Sequence, residues 1–114
     1  MTEIKKFVTA SELGLAIRSP NDISDVFIAS LEHGGLLFTE TELCPEFFDL
    51  RTGLAGEALQ KFANYQARIA IVVSGRESHG ERFGELMYEH RTHPLVRFFD
   101  SREEAAAWLG GSKP

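Results

Sequence analysis

The sequence predicts an α/β fold, a single domain built around a central mixed, mostly parallel sheet. Three observations lead there. RIAIVV (residues 68–73) is β-branched and apolar on both faces, which marks a strand buried inside a parallel sheet. Short apolar runs of this kind alternate with amphipathic stretches at helical spacing. Strands alternating with helices imply parallel pairing through right-handed crossovers. The expected order is β-β-α-β-α-β-α-β-α, with about five strands.

The elements follow in order. IKKFVT (residues 4–9) and LGLAIR (residues 13–18) read as short strands, an antiparallel pair at one edge. SPNDISDVFIASLEHGG reads as a helix with both ends marked. Ser19 is its cap, Pro20 fits the first helical position, Asp22 completes an S-x-x-D box, and Gly34 suits the left-handed stop. Ile23, Val26, Phe27 and Leu31 make its apolar face. GLLFT (residues 35–39) is a brief buried strand. In ETELCPEFFDLRTG, Pro45 starts a short helix with Phe47, Phe48 and Leu50 turned inward. Leu54, Ala55, Ala58, Leu59 and Phe62 then carry a longer helix that ends at Asn64 or Gln66. Beyond RIAIVV, Ser78 and Glu81 form a capping box for a helix with inner stripe Phe83, Leu86, Met87 and His90. LVRFF (residues 95–99) is the last strand. SREEAAAWLGG is the last helix, opened by Ser101 and Glu104 and stopped by Gly110. Residues 1–110 make the domain, and 111–114 a frayed tail.

Composition narrows the function classes. A chain of 114 residues suits one domain that needs no disulfide or metal to fold. The net charge of −5, with no basic run, argues against nucleic acid as a partner. Cys44 is the only cysteine, which fits a reducing cytoplasm. The N-terminal segment lacks the apolar core of a signal peptide, and no apolar run approaches the roughly 20 residues of a membrane helix. The expectation is a soluble cytoplasmic protein without membrane insertion.

In open α/β sheets, ligands meet the carboxyl ends of the strands. Ser74 and Arg76 follow one predicted strand there, and DLRTGLAGE starts the helix that rises from another. Thr52 stands where an N-cap belongs, and Gly53 and Gly56 leave backbone N–H groups uncovered in the first turn. A helix start carries roughly half a positive charge and unpaired donors, so it can hold an anion, or a phosphate attached at Thr52. The plainer reading makes Thr52 only a cap and the glycines a means for the helix to approach the sheet closely. Asp49, Arg51 and Glu57 complete the surface. His90 and His93 are three apart but lack a third ligand, and packing explains His90. His79 follows a cap residue and is expected to face solvent. No metal or cofactor is expected, and no nucleophile–base pair is visible by spacing.

FFDLRTGLAGEALQKFANYQARIAIV resembles the signature of a bacterial family, the domain of unknown function 4180, and the resemblance extends to FFDSREEAAAWL. It implies no activity. More distantly, DLRTGLAG is similar to the motif of STAS (anti-sigma-factor antagonist, SpoIIAA-like) domains, Asp-Ser-Ser-Gly-Leu-Gly. There a hydroxyl before the Gly-Leu pair is phosphorylated as a switch, which would fall on Thr52. Here two residues rather than one separate Asp49 from Thr52, and Ala55 stands where that family has glycine. The resemblance implies a small non-catalytic regulatory module. Its expected partner is an unknown protein, met at the helix start of residues 49–57 beside Ser74 and Arg76. A homodimer is the base-rate assembly. The alternatives are a small-molecule or lipid carrier or sensor, with a pocket lined by Phe47, Phe48 and Leu50, and last a small enzyme using Asp49, Glu57 or Arg51.

Overall fold

The computed structural model describes residues 7–75 and 78–110. In chain order these form β1 (Val8–Thr9), α1 (Ala10–Leu13), α2 (Asp22–His33), β2 (Leu36–Thr39), α3 (Pro45–Phe48), α4 (Leu54–Asn64), β3 (Ile69–Val72), α5 (Glu81–Glu89), β4 (Val96–Phe99) and α6 (Arg102–Leu109). Two 3-10 turns, Glu40–Glu42 and Leu50–Thr52, complete the connection from β2 to α4.

The strands form one sheet in the order β1-β2-β3-β4, and every pair is parallel. Val8, Leu36, Ile69 and Val96 stand in one row across it. Thr9, Leu37, Ala70 and Arg97 form the next row, on the opposite face, because side chains alternate along a strand. β3 is interior, and all four of its residues are buried, as its apolar composition demands.

The expected edge pair is corrected. Residues 13–18 are not a strand, because TASE closes a capping box first. The Thr9 hydroxyl accepts from the Glu12 N–H at 3.2 Å, and the Glu12 carboxylate accepts from the Thr9 N–H at 2.9 Å. The chain therefore turns into α1 and stops at Gly14, whose φ of +69° suits glycine. Of residues 13–18, Ile17 alone pairs, through an isolated parallel bridge to Leu43. The sheet among the described residues is thus all-parallel with four strands, not mixed with about five. Residues 4–6 of the first expected strand and the expected tail lie outside the described residues.

Crossovers of one hand that all step the same way place their helices on one face. Ile23 and Val26 of α2, Ala58 and Phe62 of α4, and Phe83 and Met87 of α5 share a buried cluster with Leu36, Phe38, Ile69, Ile71, Val96 and Phe98. α6 follows the last strand and covers the other face, where Ala105 and Leu109 meet Leu37, Ala70 and Val72. Ser101 caps α6 as expected, accepting from the Glu104 N–H at 3.2 Å. The C-terminal end of α6 is held by Arg68, which precedes β3. Its guanidinium donates to the Leu109 carbonyl at 2.8 Å and to the Trp108 carbonyl, and it lies 4.6 Å from the centroid of the Trp108 ring.

Two predicted helix starts move. α2 begins at Asp22, two residues after Pro20, because residues 19–23 first make a turn. The Asp22 carboxylate still reaches back, accepting from the Arg18 N–H at 2.8 Å and the Ser19 N–H at 3.2 Å. α5 begins at Glu81 behind Gly80, whose φ is +99°. Ser78 does not cap it; its hydroxyl donates to the Gly75 carbonyl at 2.8 Å and closes a separate turn.

His93 positions the start of β4. Its Nδ1 accepts from the N–H groups of Leu95 and Val96 at 3.0 and 3.1 Å, so the neutral ring is the one the fold uses. Burial, then the neighbouring His90 and Arg97 charges, holds its pKa below the usual histidine value. A depressed folded pKa means that the contribution is present above the unfolded value, roughly 6.5, and is lost as pH falls through the folded one. Urea midpoints measured from neutral to mildly acidic pH should therefore fall more steeply in the wild type than in His93→Asn. Equal slopes would show that His93 does not supply the dependence.

Candidate functional site at the carboxyl edge

β2 and β3 are neighbours, with Thr39 in register with Val72, so the segments that follow them emerge side by side. After β2, Thr39 and Glu42 form a capping box around the first 3-10 turn. Pro45 then opens α3 as predicted. A one-turn helix cannot bury two consecutive rings on the same side. Phe47 enters the core, while Phe48 is half-buried and turns toward the surface. Asp49 ends α3 and starts the second 3-10 turn, accepting from the Arg51 N–H at 3.1 Å. The Arg51 guanidinium clasps the same carboxylate with two bonds of 3.0 Å. These bonds lower the Asp49 pKa and raise that of Arg51.

Thr52 is not the N-cap of α4; Gly53 occupies that position at φ +79°. The Thr52 hydroxyl donates to the Glu46 carbonyl at 2.7 Å, with the Asp49 carbonyl as a second acceptor at 2.9 Å. It also accepts from the Leu54 N–H at 3.2 Å. One exposed side chain thus splices α3, the turn and α4. The two glycines differ in kind. Gly53 is needed for its backbone angle. Gly56 is exposed, and a Cβ there would meet nothing within 4 Å, so it does not serve a close approach to the sheet. Gly56→Ala should raise stability by about 0.5–1 kcal/mol, as a helix-interior glycine replacement does. Gly53→Ala should lower it by about 1–2 kcal/mol through left-handed strain. Urea unfolding of both variants checks the pair, and a loss in Gly56→Ala would restore a packing role for that glycine.

Of the remaining predicted surface residues, Glu57 is exposed on the first turn of α4 and Ser74 is exposed after β3. The Ser74 N–H donates to Glu40 Oε1 at 3.4 Å. Arg76 lies outside the described residues.

The centre of the edge is a pair that spacing does not reveal. His79 Nε2 lies 2.6 Å from Glu40 Oε2, and the two side chains retain 24% and 34% of their exposure. His79 is therefore not simply solvent-facing. Its ring stacks on Phe48 at 3.6 Å between centroids and 8° between planes, with Phe83 edge-on at 6.1 Å. The displaced start of α5 leaves His79 in the connection and free to turn inward. Glu40 and His79 are far apart in sequence; only the pairing of β2 with β3 brings them together.

The stacked rings of Phe48 and His79 line two concavities. One is a cleft of about 450 Å³, lined by Phe48, Leu50 and Phe83 with Arg51, His79 and Arg82 among the polar groups. The other, about 350 Å³, holds Glu40, Leu43 and Pro45 beside the same two rings. Among the described residues no group of three or more His, Cys, Asp or Glu could hold a metal ion. His90 and His93 stack at 5.3 Å, with His90 Nδ1 at 3.0 Å from the Leu86 carbonyl and His93 Nδ1 engaged at β4. Cys44 Sγ is 3.6 Å from the Arg18 carbonyl. None of the described helices is long and apolar enough to cross a membrane.

The family described as a domain of unknown function (DUF4180) matches residues 2–109. No curated protein and no solved structure matches the chain.

Proposed function

The chain belongs to the domain of unknown function (DUF4180) family, and from the geometry of its carboxyl edge we propose that it is a small non-catalytic module that binds a small ligand. The cleft beside Phe48 carries this reading. It is concave, floored by Phe48, Leu50 and Phe83, and rimmed by a few convergent polar groups, the combination that small-molecule sites favour. It adjoins the Asp49 and Arg51 surface, and two of the three expected lining residues, Phe48 and Leu50, belong to it. No observation favours chemistry by Asp49, Glu57 or Arg51, since the first and last are tied to each other in solvent.

A titration of the ¹⁵N-labelled protein with a set of single-ring aromatic fragments tests the reading. Perturbed amides should cluster at Phe48, Leu50, Gly80 and Phe83, and Phe48→Arg should abolish the response while keeping the fold. Perturbations confined to the separate concavity of Met87, Tyr88, Phe98 and Glu104 would overturn it.

A second reading, regulation through a protein partner, is favoured by Thr52. A phosphate there would add about −1.5 to −2 charge and set acceptor oxygens against the Glu46 and Asp49 carbonyls. The turn at the rim of the cleft would have to rearrange. Incubation with bacterial extract and labelled ATP, followed by site mapping, checks this; no label at Thr52 and unchanged fragment binding in Thr52→Glu would remove it. A STAS-like ancestry, a bacterial origin and a cytoplasmic setting belong to this reading. DLRTGLAG and the single cysteine support it, and the all-parallel described sheet departs from it.

A further inference from the structure

We infer that the cleft recognises a small hydroxy-aromatic ligand of the phenol class, its ring on Phe48, Leu50 and Phe83 and its O–H donating to His79 Nδ1. The inference rests on the binding-module reading and adds the ligand's chemistry.

It follows from the Glu40–His79 pair. An ionised carboxylate only accepts hydrogen bonds, so the 2.6 Å contact places a proton on His79 Nε2. In the neutral ring Nδ1 then keeps its lone pair. Nδ1 has no partner among the described residues. The two nitrogens of an imidazole point in divergent directions. Glu40 lines the smaller concavity and not the cleft, whereas His79 lines both. With Nε2 committed on the Glu40 side, Nδ1 is the nitrogen left for the cleft. A ring stacked flat on Phe48 and braced by Phe83 holds that acceptor in a fixed orientation. The cleft is also lined by the Asp49 carboxylate, which Arg51 already holds, and by Glu81. His79 Nδ1 is the acceptor that the aromatic rings hold in place, which a flat apolar ring with a single donor complements.

Phenol and anisole separate this from mere apolar binding, because anisole keeps the ring and the oxygen but has no donor. Each is titrated in mildly alkaline buffer into the ¹⁵N-labelled full chain. Phenol should bind at least tenfold more tightly than anisole, with shifts centred on Phe48, His79 and Phe83. In Glu40→Gln the amide can donate as well as accept, so the tautomer is no longer imposed. Discrimination there should collapse toward unity while anisole affinity stays the same. Equal affinities in the wild type would overturn the phenol inference and leave the cleft reading intact. Binding of neither probe would overturn the inference, and the fragment set would then decide the cleft reading independently. A Glu40→Gln variant that is folded and still discriminates tenfold would also overturn it.

Discussion

Phe62→Ala is expected to cost about 3–5 kcal/mol, the range for truncating a buried aromatic ring. Phe62 is fully buried in the larger of the two cores, where α4 meets the sheet beside Phe38, Ile69 and Ile71. Its carbonyl also receives the Ala67 N–H at 2.8 Å, so the same residue anchors the turn that leads into β3. A typical domain holds only about 5–15 kcal/mol in total, so the loss is a large fraction of it. The urea midpoint should fall sharply with little change in slope. Tyr65, one turn onward, provides the contrast. It is 54% exposed and stacks on Phe27 at 4.3 Å, so Tyr65→Ala should cost about 1 kcal/mol or less. A Phe62→Ala loss no larger than that of Tyr65→Ala would mean that α4 is not seated on the sheet as described.

Arg68→Ala should cost about 2–3 kcal/mol and act mainly on α6. Hydrogen bonds to a charged group contribute about 1.5–3 kcal/mol each when well made, and their sum is rarely fully additive. Arg68 makes two, to the last carbonyls of α6, and lies against the Trp108 ring. Burial, then Arg97, lowers the Arg68 pKa, the cost of holding a cation there. Arg97 approaches the same ring at 5.0 Å but spends its own hydrogen bonds on the His93 and Thr92 carbonyls. It does not replace the Arg68 contacts to α6. Trp108 is the only tryptophan, so its emission should shift to the red in the variant. Amides of residues 105–110 should lose hydrogen-exchange protection before those of α2 and α4. Arg68→Lys should recover only part of the loss, because it lacks the planar fork. Protection lost equally everywhere would show that Arg68 supports the whole fold rather than one helix.

Much of the architecture was legible because local signals agreed. Ile69–Val72 is apolar on both faces and could only be interior. Leu54, Ala58 and Phe62 form a helical stripe, and Ser101 with Glu104 marks a helix start. Local chemistry misled where two signals competed. The box of Thr9 and Glu12 took the chain into α1 before the alternation of residues 13–18 could act. Ser78 resembles a cap but satisfies Gly75 instead. The candidate site was half legible. Of the residues that line the cleft, Phe48, Asp49, Leu50 and Arg51 were singled out from the sequence, whereas His79, Arg82 and Phe83 were not connected with them. The Glu40–His79 pair was not readable, because it depends on which strands are neighbours and not on spacing along the chain.

The strand order carries one more consequence. It runs β1-β2-β3-β4 without reversal, so the three crossovers that join the strands lie on one face and only α6, after the last strand, lies on the other. Doubly wound sheets bind their ligands at the topological switch point, where the strand order reverses. Among the described residues the strand order never reverses, and the cleft is assembled from connecting segments and helix ends beside the sheet. The segments that line the cleft are therefore separable from the sheet. On the binding reading proposed above, changes within residues 40–52 and 78–82 would alter what is bound while the pairing of β1 to β4 stays as it is, which would leave the scaffold open to diversify its ligand without refolding.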